Sequence, residues 1–209
     1  MSNYNQISSF IWNVCDDVLR GLFKPHEYGD VILPFTVLRR LDCTLESHKD
    51  EVYEIYEKYK GQVEDPTPII LNKINTNFFN HSKYDLTRLK SDPQNIDINF
   101  QNYIGGYSDN VVEIIENFQF DKPVQKLHKS NRLYQLIDKF TEVDLHPDVI
   151  SNRDMGIIFE ELLRKFSEMS NETSGEHYTP RDIVRLLVSF VFEKDREELQ
   201  GVGNVRSVY

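Results

Sequence analysis

The chain has 209 residues, 39% of them hydrophobic and 12% aromatic, and a formal net charge of −10 at neutral pH. That length suits one large domain, or one domain and a piece of a second, with a core that needs no staples. The acidic balance argues against a stand-alone nucleic-acid binder, whose affinity comes mostly from neutralising phosphates, but leaves room for one basic face. No apolar run is long enough to span a bilayer, and the polar start from Met1 to Gln6 has no secretory pattern. Cys15 and Cys43 are the only cysteines. Both fall in apolar helical patterns without metal-ligand or disulfide spacing, so a reduced, cytoplasmic setting is expected.

The first predicted helix carries Ile7, Phe10, Ile11, Val14, Cys15, Val18, Leu19 and Leu22 on one stripe, with Trp12, Asn13 and Asp16 on other faces and Gly21 placed to end it. Next come Ile32, Phe35, Leu38, Leu41 and Leu45 at helical spacing. Asp30 is the candidate cap, and Pro34 must lie at the edge of the first turn or mark a kink. Arg39 and Arg40 project from the other side and are expected to form a solvated face, with contact to a partner or a phosphate as the alternative. The pattern continues through Val52, Ile55, Tyr56 and Tyr59 to Gly61, which suggests one long helix. Residues 61–68, with Gly61, Pro66 and Pro68, read as a loop.

Short helices follow. Ile69–Leu71 opens one, Phe78 and Phe79 plug the core, and Leu86 with Leu89 marks another. Ser91-Asp92-Pro93 is a turn before a face of Ile96, Phe100, Tyr103 and Ile104, closed by Gly105-Gly106. No strand precedes that glycine pair, so it is a turn and not a phosphate loop. Ser108 caps a helix with Val111, Val112, Ile115 and Phe118. Asp121 precedes one ending near His128, and Asn131 caps one with Leu133, Leu136, Ile137 and Phe140. The Asp144-Leu145-His146-Pro147-Asp148 stretch carries acid and imidazole groups, but no further metal ligand lies at a workable spacing, and Pro147 favours a turn.

Ser151 and Asp154 form a capping box opening the strongest helix, with Met155, Ile158, Phe159, Leu162, Leu163 and Phe166 on its buried stripe and Glu160, Glu161, Arg164 and Lys165 facing out. A polar loop, Ser170 to Gly175, leads to Gly175-Glu176-His177-Tyr178-Thr179-Pro180-Arg181. Thr179 is a good N-cap, Pro180 sits where a missing N–H costs nothing, and Asp182 can reach back to the cap. Ile183, Leu186, Leu187, Phe190 and Val191 give the helix an apolar face. Exposed amides at such a start suit an anion or a polar cofactor, although most capped helix starts bind nothing. Val205 to Tyr209 looks like a strand.

Nearly the whole chain resembles type I restriction–modification DNA methyltransferase (M) subunits, most specifically in two stretches within residues 151–188. One is the Gly175–Arg181 run, similar to that family's cofactor loop. The other is the Asn-x-x-Met-Gly-x-x-Phe-Glu-x-Leu pattern from Asn152 to Leu162. The Ile32-Leu33-Pro34 segment with its basic pair is similar to the family's amino-terminal helical domain. The resemblance implies transfer of a methyl group from S-adenosylmethionine to the exocyclic amine of adenine. It implies cofactor contacts from Glu176, His177, Tyr178, Thr179, Pro180 and Arg181, toward the amino-acid end and ribose. It also implies a DNA-specificity subunit, a restriction subunit, a second M subunit and double-stranded DNA with a flipped adenine as partners. His177 departs from the aromatic common at its place but keeps a flat ring.

The family's Asp-Pro-x-x-Gly-Thr-Gly loop and its Asn-Pro-Pro-Phe or -Tyr motif, which holds the adenine amine, do not occur in these residues. No catalytic residue and no metal site is therefore assigned, and the 209 residues are expected to be inactive alone, as the amino-terminal part of a longer enzyme. The expected fold is mainly α: a helical domain over residues 1–165, then over 166–209 the first helix and strand of a doubly wound α/β methyltransferase domain. The alternative is a non-catalytic helical interaction module.

Overall fold

The computed structural model describes residues 2–119, 121–169, 179 and 181–193, with side chains described from residue 6 onward except that of Arg181. Among them the chain is mainly helical and contains no strand. Two compact units divide it, residues 1–170 and 171–209.

Helix α1 (Ser2–Val14) passes into a wider turn over Cys15–Leu19, and Gly21 ends the run at φ +78°. Ile7, Ile11, Val14, Cys15, Val18 and Leu19 of the predicted stripe are buried. Trp12 packs tilted on Phe166 at 5.8 Å. Both cysteines are buried and free, and burial pushes the Cys15 thiol up to about 12, so it is held neutral.

Helix α2 (Gly29–Leu45) is the inner element. Val31, Ile32, Phe35 and Leu38 are fully enclosed. The Phe35 ring stacks on Phe100 at 5.7 Å and meets Phe140 at 5.5 Å, and Phe140 takes Phe10 edge-on at 5.5 Å. Four aromatic rings from four parts of the chain thus meet at the centre. Tyr28, not Asp30, occupies the N-cap position. Pro34 lies inside the helix, beyond the first turn, and Thr36 donates its hydroxyl to the Ile32 carbonyl one turn back.

The expected long helix is broken. A 3₁₀ turn over Glu46–His48 separates α2 from α3 (Lys49–Tyr59). The tighter turn brings Lys49 inward, where its ammonium donates to Asn80 Oδ1 at 3.2 Å. Serine and histidine at this step favour helix interiors less than their neighbours do.

Then come α4 (Thr67–Ile74), α5 (Leu86–Leu89), a 3₁₀ turn over Pro93–Asn95, α6 (Ile96–Gly105), α7 (Asp109–Asn117), α8 (Asp121–Lys129) and α9 (Leu133–Thr141). Phe79 is buried between α4 and α5 in sequence, and the predicted face of α6 is largely enclosed. Ser108 holds the N-cap position of α7, but its hydroxyl bonds Asn110 Oδ1 and accepts from the Phe79 amide rather than from the helix's first turn. Asn131 is not a cap. It takes φ +55°, a conformation asparagine tolerates, and Arg132 stands at the N-cap of α9. Helix α10 (Asn152–Met169) opens with half of the predicted box: Asp154 N donates to Ser151 Oγ at 3.1 Å, while Asp154 Oδ2 accepts from the Ser151 hydroxyl at 2.8 Å and not from its backbone amide. Met155, Ile158, Leu162 and Phe166 are buried, whereas Leu163 is 42% exposed. Helix α10 packs on α1, on α2 and on the turn at Pro25–Glu27.

In the second unit, helix α11 (Arg181–Phe192) forms where the pattern placed it. Ile183, Leu186, Leu187, Phe190 and Val191 are 48–71% exposed. The loop Ser170–Gly175 and the strand Val205–Tyr209 lie outside the described residues.

The two glycines of Gly105-Gly106 differ. A Cβ on Gly106 would fall 2.6 Å from Ser82 Cβ and 2.7 Å from the Ser82 amide nitrogen, whereas one on Gly105 meets nothing within 4 Å. Gly106→Ala is therefore expected to lose about 1–3 kcal/mol of stability through forced backbone shifts. Gly105→Ala is expected to gain up to about 1 kcal/mol from helix propensity. Urea denaturation of the two variants checks the pair.

Candidate functional site

Three places hold the residues with chemical potential. The first is the predicted cofactor corner. Thr179 is exposed and α11 starts at Arg181. Glu176, His177, Tyr178 and Pro180 lie outside the described residues, as does the side chain of Arg181. The capping roles of Thr179 and Asp182 depend on those neighbours.

The second is a polar node buried inside the first unit. Asp42, on α2, accepts at Oδ2 from the Leu86 amide at 2.7 Å. Its Oδ1 accepts from Tyr103 Oη at 2.8 Å and Tyr107 Oη at 3.1 Å, and the two phenols lie 2.7 Å apart. One carboxylate thereby satisfies the start of α5 and joins it to two tyrosines one helical turn apart. Asn80 extends the node, accepting from Lys49 and from the Ser82 amide while donating to the Tyr103 carbonyl. A polar cavity of about 230 Å³ lies alongside, lined by Arg39, Glu46, Asp85 and Arg88 as well as Asp42, Lys49 and Asn80.

Burial pushes the Asp42 carboxyl up to about 6, against the pull of the Leu86 amide and the Tyr103 hydroxyl. Burial also pulls the Lys49 ammonium down to about 8, opposed by Asp42 and Asp85. Both phenols are raised well above their ordinary value, first by burial and then by Asp42, and remain protonated donors. The signal for Asp42 was present in the chain. Its spacing from Phe35, Leu38 and Leu45 puts it on the buried face of α2, where a lone acid needs partners.

The third place is the joint between α9 and α10. Here the expectation of a solvated arginine face is overturned. Arg39 Nε donates to the Val143 carbonyl at 2.8 Å. Arg40 Nη1 donates to the Leu145 and Ile150 carbonyls, the latter at 2.8 Å, and Nη2 to Asn152 Oδ1 at 2.5 Å. The joint's backbone has no helix to pair with, and a guanidinium offers five donors in a fixed fork. The acid–imidazole cluster lies in the same joint and is a turn: His146 N donates to Asp144 Oδ1 and Asp148 N to His146 Nδ1. Among the described residues no group of three or more His, Cys, Asp or Glu is placed to hold a metal ion, and no helix is long and apolar enough to cross a membrane.

A proton-linkage test follows for Asp42. Its folded-state value lies above the ordinary carboxylate value of 3.8, so the folded chain holds a proton that the unfolded chain releases. This group's contribution is full below pH 3.8 and is lost as pH rises to about 6. Relative to Asp42→Asn, the wild type is expected to lose on the order of 2–3 kcal/mol of stability between pH 4 and pH 6. Urea denaturation across that range measures the difference, and parallel curves would refute it.

Comparison with known proteins places these features. Residues 7–140 match the family model of the HsdM N-terminal domain, and residues 151–202 match that of N-6 DNA Methylase. The type I restriction enzyme MjaIX methylase subunit of Methanocaldococcus jannaschii is 25% identical over 190 residues, covering 85% of this chain and 34% of that protein. The chain thus spans about a third of the length of this relative. No solved structure matches it. With the HsdM N-terminal domain matched over more than half its length and the methylase match following in order, the chain belongs to the HsdM N-terminal domain family, as the amino-terminal part of a type I restriction–modification methylase subunit.

Proposed function

We propose that the chain is the amino-terminal part of a site-specific adenine DNA methyltransferase that uses S-adenosylmethionine. The observation that carries this is the order of the two matches, a helical amino-terminal domain over residues 7–140 followed by the N-6 DNA Methylase match over residues 151–202. Helix α11 is the first helix of a doubly wound α/β domain, followed by the strand Val205–Tyr209. The exposed apolar face of α11 supports this, since a helix with five large apolar side chains in solvent suits a sheet as its cover.

The cofactor corner is formed by Glu176, His177, Tyr178, Thr179, Pro180 and Arg181. The amides and hydroxyl at the helix start donate to the polar end of the cofactor, and Tyr178 supplies an apolar wall. S-adenosylmethionine supplies an activated methyl group. Displacement by an amine asks the protein mainly to align and desolvate the reactants. The target adenine leaves the duplex stack to reach the methyl donor. The partners are a DNA-specificity subunit, a restriction subunit and a second methylase subunit in the cytoplasm. The net charge of −10 supports delegating sequence reading to a partner chain.

In the full-length methylase subunit, calorimetry is expected to show saturable binding of S-adenosylmethionine. Thr179→Ala combined with Arg181→Ala is expected to weaken it by about 10-fold or more, the scale of one lost charge-assisted hydrogen bond. Unchanged affinity would remove these residues from the cofactor site. The 209 residues alone are expected to transfer no methyl group to DNA.

A further inference from the structure

The two family matches leave residues 141–150 between them. A stretch between two matched regions is ordinarily a tether, yet this one is built into the first unit. Leu145 and Ile150 are buried by their side chains while their carbonyls face Arg40. Arg39 holds Val143 and reaches the Thr141 carbonyl at 3.5 Å. Arg40 also reaches past the joint to Asn152, the first residue of α10 and the second of the methylase match. Three acceptors on two sides of one guanidinium suit a planar fork and do not suit a point charge.

The helix held this way docks tightly. A Cβ on Gly29, the first residue of α2, would come within 3.2 Å of Phe166 Cβ, so α10 approaches the start of α2 as closely as a glycine permits. Phe166 also meets the Trp12 ring. Helix α10 therefore begins the methylase match while its buried face belongs to the helical unit.

We propose that Arg40, supported by Arg39, is a positioning residue for methyl transfer. It locks the joint so that α10, the first helix of the methylase-matched segment, is carried as one body with α2. This rests on the methyltransferase assignment made under Proposed function. The Arg40 guanidinium is engaged with the joint's carbonyls and with Asn152, and it acts through the placement of α10.

The test uses the full-length methylase subunit assembled with its specificity subunit, with steady-state methylation of DNA as the readout. Arg40→Ala is expected to lower kcat at least 10-fold while KM for S-adenosylmethionine stays within about 2-fold. Arg40→Lys, which keeps the charge and loses the fork, recovers less than half of that loss. Asn152→Ala removes a single outer bond and lowers kcat less, in the same direction, with the fold intact. Arg132→Ala is the control. Arg132 donates to the Val18 and Arg20 carbonyls in the same manner but away from the joint. Its loss lowers Tm and leaves kcat unchanged below that temperature. If the wild type is active and Arg40→Ala and Asn152→Ala keep full kcat, or if Arg132→Ala loses as much kcat as Arg40→Ala, the positioning role is overturned and the methyltransferase assignment stands. If the wild-type assembly methylates no DNA, the assignment itself fails and the positioning role with it.

Discussion

A bundle made of short helices has many ends, and every end leaves backbone groups without partners. In the first unit α2 supplies much of the answer. Asp42 takes the Leu86 amide at the start of α5, and Arg39 and Arg40 take the carbonyls of the joint after α9. Arg132 does the same for the carbonyls that close the first helical run. The aromatic centre around Phe35 provides the apolar contact, but these side chains decide where each short element stops and where the next begins. An unpaired buried polar group costs about 1–3 kcal/mol, so each such contact restricts the alternatives open to the chain. Among the described residues no buried side-chain nitrogen or oxygen is left without a partner.

Apolar spacing was the legible part of the sequence. The stripe from Ile7 to Leu19, the face of α6 and the Ser151 hydroxyl capping the Asp154 amide appear where periodicity and capping chemistry put them. Such signals are local, since a helix announces its buried face within two turns. The long-range polar contacts were not legible. Arg39 and Arg40 look like a solvated pair because their acceptors lie about a hundred residues further on. The break at Glu46–His48 was hidden for a similar reason: the apolar stripe continues across it, and the Lys49–Asn80 contact that goes with it spans 31 residues. Asn131 resembles a cap by residue type, but its left-handed backbone moves that role to Arg132.

The candidate site divides in the same way. The Gly175–Arg181 run was conspicuous because a glycine, a capping threonine and a proline fall in the order that a loop entering a helix requires, and α11 does begin at Arg181. The Asp42 node lies elsewhere, in the helical unit. Its raised acid and lowered amine hold opposite charges together out of water, which makes the interior of this unit sensitive to pH on both sides of neutrality.

The docking of Phe166 beside Gly29 bears on how such proteins can be divided and recombined. A splice at the boundary between the two family matches would strip the helical half of α10 and uncover Trp12 and the entry to α2. The first compact unit runs on to residue 170. Any exchange of methylase modules between relatives would have to carry α10 with the helical half, or bring a replacement whose counterpart of Phe166 fits the same glycine.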